Sequence, residues 1–73
     1  MTEAQLIKHR QILQRIIERE YNECAYYKAR AEEEVNSIWK EGFAEQVKQI
    51  EDEIVTLTYA MTLLTKELDE VTE

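Results

Sequence analysis

Proline is absent from this 73-residue chain, and glycine occurs once, at Gly42. A sheet of several strands needs turn residues at every reversal, and two such scarcities leave almost none. The economical reading is all-α, with two long helices. Cysteine also occurs once, at Cys24, so no internal disulfide can brace so short a chain. His9 and Ser37 are equally solitary. On a helix His9 falls about four turns from Cys24, and farther from Ser37, so no nucleophile and base are paired. A glycine-rich phosphate loop and a Glu-x-x-His pair are both missing. We therefore expect no enzyme, no cofactor and no metal. No apolar run approaches the roughly 20 residues that cross a bilayer. The first residues, with Glu3, Gln5, Lys8, His9 and Arg10, do not resemble a signal peptide. A cytoplasmic protein is the expectation.

The net charge of −7 is unevenly placed. Residues 1 to 40 carry seven basic and seven acidic groups and sum to zero. In the remainder only Lys48 and Lys66 stand against nine carboxylates: Glu41, Glu45, Glu51, Asp52, Glu53, Glu67, Asp69, Glu70 and Glu73. Such a surface repels phosphate backbones and anionic lipids, so neither nucleic acid nor membrane is expected as a partner.

What the chain does have is a long apolar row. Phe43, Val47, Ile50, Ile54, Leu57, Met61, Leu64, Leu68 and Val71 follow one another at spacings of four and three. This is a heptad-like seam on one edge of a helix, which other helices must cover. Upstream, Thr2 and Gln5 form a capping-box pattern, and Leu6, Leu13, Ile17, Cys24, Ala31 and Ile38 continue at helical spacing. Lys40 followed by Gly42 reads as a helix C-terminus, and the apolar phase jumps between Ile38 and Phe43. The pattern predicts one domain over 1–73, a coiled-coil-like antiparallel hairpin with helices over about 3–40 and 43–71 and a turn at 41–42. The alternative is one rod of about seventy residues that tolerates Gly42 at a cost of about 1 kcal/mol. In the hairpin, helices of roughly 57 Å and roughly 44 Å leave Leu6, Ile7 and His9 in an overhang. Arg15 and Arg19 then fall near Glu67, Asp69 and Glu70.

A second stripe, Val55, Tyr59 and Leu63, points almost opposite to the seam. One covering helix cannot shield both faces, so the hairpin is expected to complete a bundle with further copies of itself, a dimer or higher, or with another helical protein. Val55, Tyr59 and Leu63 are the first candidates for partner binding. Tyr26, which projects away from the inward row, and Trp39, beside the turn, are the next. Glu20 stands near the middle of the inward row, where a sealed carboxylate is costly. It is read as an edge residue reaching water or an arginine of a neighbouring chain, or else as a polar group fixing register or meeting a ligand.

In length, acidity and a C-terminal apolar helix, here Glu51 to Leu68 with Tyr59 in its middle, the chain resembles the small helical-hairpin co-chaperones that hold the needle subunit of bacterial type III secretion. The basic stretch Lys8 to Arg19 has no counterpart in that layout. The resemblance implies a cytoplasmic protein whose second helix cradles another small helical chaperone or an export substrate. We accordingly expect a non-enzymatic binding module: a chaperone, adaptor or inhibitor. Two other readings stay open. One is a homo-oligomeric accessory protein of a phage or mobile element, holding a small ligand or host factor with Tyr26, Tyr27, Arg15, Arg19 and Arg30. The other is a magnesium-dependent helical nucleotide hydrolase using runs such as Glu20 with Glu23, Glu32 to Glu34 and Glu51 to Glu53.

Overall fold

The first helix begins where the capping box places it. Thr2 Oγ1 accepts a hydrogen bond from the Gln5 backbone N–H at 3.2 Å, and Gln5 Oε1 accepts one from the Thr2 N–H at 2.9 Å. Two of the N–H groups that a helix start leaves open are satisfied in this way. The computed structural model describes residues 2–72 and places them in two helices, α1 (Glu3–Glu33) and α2 (Ser37–Thr72), packed against each other as an antiparallel hairpin. Met1 and Glu73, the two ends of the expected 1–73 domain, lie outside the described residues. Glu3 in the first turn of α1 and Arg30 in its last turn both complement the helix dipole.

The reversal does not occur at 41–42. It occupies Glu34 to Asn36, six residues earlier, and Gly42 lies inside α2 without a positive φ. The cause is local hydrogen bonding. Glu34 leaves the helix with extended backbone (φ −77°, ψ 128°) while its N–H still reaches the Arg30 carbonyl. Asn36 N–H donates to Glu34 Oε1 at 3.1 Å. The Asn36 side chain then caps α2, its Oδ1 accepting from the N–H groups of Ile38 at 3.0 Å and Trp39 at 3.3 Å. An asparagine ahead of a serine is a strong helix start, and here it outcompetes the lysine and glycine that follow it. The single-rod alternative goes with the same finding.

The earlier turn moves every facing pair. Tyr27 packs on Phe43 and beside Val47, with ring centroids of the aromatic pair 6.2 Å apart. The helices end nearly level: α2, at 36 residues, is the longer, and the molecule is a rod of 55 × 14 × 14 Å. The expected overhang is therefore absent. Leu6, placed there by the sequence, is the most deeply buried large side chain, 2% exposed. The acidic end of α2 stands beside His9, which shares a groove with Glu67 and Glu70, while Arg10 and Arg15 share another with Leu68.

The seam is the core as far as Leu68, while its last expected member, Val71, is exposed. Cys24, Ile50 and Ile54 are buried together, with Tyr27 and Val47 packed against them. Ile17 is buried as well, and Leu57, Met61, Leu64 and Leu68 are half-buried along the same edge. Ile38, assigned by spacing to the inward row, is instead 77% exposed, because α1 has already ended where it stands. No helix among the described residues is long and apolar enough to cross a membrane.

Candidate functional site: the outer face of helix α2

The segment from Ile54 to Tyr59 is rich in β-branched and aromatic residues, which a helix accommodates less readily than a strand. It is helical here because Ile54 and Leu57 are held by the seam. Three threonines in and beyond it bond their hydroxyls back to their own helix. Thr56, Thr62 and Thr65 each donate to the carbonyl four residues back, on Asp52, Thr58 and Met61, at 3.2, 3.0 and 2.9 Å. These groups therefore ask nothing of a neighbour.

Between them rises the stripe expected from spacing. Val55 is 68% exposed, Tyr59 66% and Leu63 48%, three large apolar side chains in a row on a rigid element. The hairpin covers one edge of α2 and leaves this one open. On one flank, a groove lined by Tyr21, Ala25, Lys28, Glu51 and Val55 descends to the buried Cys24 and Ile54. Packed helices leave such a groove on each side of their contact, and here its rim is aromatic on α1 and aliphatic on α2.

The other candidates are placed apart from the stripe. Tyr26 is exposed on the back of α1, with its ring set edge-on against Tyr27 at 5.3 Å and 74°. Trp39 is exposed in the first turn of α2, next to the exposed Val35 and Ile38 at the tip of the hairpin. The binding candidates thus fall on three surfaces: the outer face of α2, the back of α1 and the tip. Arg30, one of the residues considered for a small ligand, lies over the Phe43 ring at 5.4 Å. That contact engages its guanidinium within the fold.

Glu20 is half-buried at the helix interface, opposite Glu53. Its carboxyl titrates above the ordinary glutamate range. The largest cause is a hydrogen bond with Glu53, which requires a proton on one of the two groups; partial burial and the charges of Glu53 and Glu23 act in the same direction, and Arg19 opposes them. Its Oε2 is shielded from solvent without a hydrogen-bond partner. The surrounding groove includes Ile16 and Leu57, with Asp52 beside Glu53. Glu20 thus meets a second carboxylate across the helix interface, with Arg19 of its own helix as the opposing charge. Sequence reasoning missed Glu53 as that neighbour, and the missing signal was the Asn36 cap that sets the register. Among the described residues, no group of three or more His, Cys, Asp and Glu side chains stands together as a metal site.

No family model matches this sequence, and neither a curated protein nor a solved structure is significantly similar to it.

Proposed function

We propose that this chain is a non-enzymatic protein-binding module whose α2 outer face takes up a helix, completing a bundle that the hairpin leaves half built. The observation that carries the reading is the exposed row Val55, Tyr59 and Leu63, aligned on a helix whose opposite edge is already packed against α1. Burying that row is the driving force, and the charges around it set orientation. A flat, rigid, apolar helical edge suits another helix better than a small molecule, which needs a concave pocket with convergent polar groups. The layout shared with the needle-subunit co-chaperones extends the proposal. Within it the chain holds another helical chain in the cytoplasm and performs no chemistry on it, as a chaperone, adaptor or inhibitor does. Trp39 and Tyr26 then serve as subsidiary contacts at the tip and back of the hairpin.

Capture with a tagged chain tests the reading. The wild type should recover a helical protein, whether a different chain or an untagged copy of this one, and Tyr59→Glu should lose it while keeping its helical content. Equal recovery by Tyr59→Glu would show that binding does not use this face.

A further inference from the structure

We infer that the helix taken up by the outer face of α2 is α2 of a second copy, running antiparallel about a two-fold axis at Tyr59. This rests on the reading of that face as a helix-binding surface, and it names the occupant.

The exposed area is large enough for a second copy. The chain exposes 5773 Å². A compact monomer of 8.7 kDa exposes about 4,700 Å², so about 1,000 Å² per chain is left in excess. A stable interface removes about 800 Å² or more from each partner, so the surplus is of the size that one partner covers.

Charge selects the partner. The outer face extends past the apolar stripe in both directions at helical spacing. Asp52 and Lys48 continue it toward the N-terminus of α2, Lys66 and Glu70 toward the C-terminus, and all four are exposed. The steps from Lys48 to Glu70 run four, three, four, then four, three, four, so the face is symmetric in position about Tyr59. It is antisymmetric in charge. With Tyr59 set against its own symmetry mate, Val55 meets Leu63, Asp52 meets Lys66 and Lys48 meets Glu70, and the two-fold repeats each pairing. Every charged position then faces its opposite. A parallel pairing in register would set Lys48, Asp52, Lys66 and Glu70 each against itself, four like-charge contacts where the antiparallel arrangement has four favourable ones. Lys48 and Lys66 are the only basic residues after Lys40, among nine carboxylates, and both fall on this face. An unrelated basic helix would meet two lysines in its path, whereas a second α2 uses both. At the axis the two phenol rings lie together, an arrangement in which aromatic pairs gain beyond their buried area.

Cysteine cross-linking reads the geometry directly, because residues on a two-fold axis pair with themselves and residues off it do not. Cys24 is buried, so the wild type serves as the unreactive control. Under mild oxidation Tyr59→Cys should form a covalent dimer alone. Val55→Cys and Leu63→Cys should cross-link with each other in an equimolar mixture and little by themselves. Lys48→Glu should weaken association roughly tenfold by setting like charges in both symmetric contacts, and adding Glu70→Lys should restore it. Self-cross-linking of all three cysteine variants to the same extent would establish a parallel pairing and overturn the inference. So would a monomeric wild type together with no cross-link in any of the three cysteine variants. If that monomer still captures a different helical protein through Tyr59, only the occupant named here is wrong. If capture is also indifferent to Tyr59→Glu, the reading of the outer face fails with it.

Discussion

Ile54 and Val55 are adjacent in sequence, similar in chemistry and carried by the same helix, yet one is buried in the hairpin and the other is 68% exposed. The inner and outer edges of α2 are both apolar and both regular. They differ in length, the outer one being three apolar residues between charged flanks, and in that α1 covers only the inner one. Stability of the hairpin is therefore concentrated in the inner edge, and the outer edge is free to be spent on association. A single helix pair offers each member one contact edge, and the second apolar edge is the surface that the proposed association would bury.

The largest effect that separates the two edges is expected from truncation. Ile54→Ala should cost about 2–5 kcal/mol of unfolding free energy, since it opens a cavity beside Cys24 and Ile50. Val55→Ala, read by denaturant titration of dilute protein, should change the stability of the hairpin itself by no more than about 0.5 kcal/mol. Equal losses at the two positions would erase the distinction between the edges.

Next come the two sites that compete for the turn. Asn36→Ala should destabilise by about 1 kcal/mol, because its Oδ1 accepts from two N–H groups at the start of α2. Gly42→Ala should instead stabilise by up to about 1 kcal/mol, since a Cβ there meets nothing within 4 Å and the residue is inside a helix. Thermal melts of the two variants check both signs. A destabilising Gly42→Ala would return the turn to Gly42.

The smallest effect is expected at the edge between seam and solvent. Glu20 titrates above its ordinary range in the folded chain, so the folded state holds its proton more tightly than the unfolded state does. The resulting stability is fully present below the ordinary glutamate range and is lost as pH rises through the raised value. Glu20→Gln should therefore lose less stability than the wild type when melts are compared from acidic to neutral pH, and should be the more stable of the two at neutral pH. Parallel curves for the two proteins would remove Glu53 as the cause.

The two-helix architecture was legible in the sequence because the row from Phe43 to Leu68 repeats without interruption and the Thr2–Gln5 box marks a helix start. Both depend on spacing alone, which a sequence displays directly. The turn was less legible because two local signals compete there. Gly42 is the more conspicuous, but a glycine within a helix costs only about 1 kcal/mol, and the cap supplied by Asn36 offsets a comparable amount. Misplacing the turn by a few residues then shifted everything that depends on register: Leu6 moved from a supposed overhang into the core, and Glu20 found Glu53. The Val55, Tyr59 and Leu63 stripe was immune, since its exposure depends on the phase of α2 and not on which residue of α1 it opposes.

The measurement that bears most directly on the outer edge is the molar mass of the unmixed protein in solution, followed by light scattering as the sample is diluted. The account predicts a particle of about twice the 8.7 kDa chain mass that dissociates on dilution and is shifted to monomer by Tyr59→Glu. A folded 8.7 kDa particle at every concentration, unchanged by Tyr59→Glu, would contradict it.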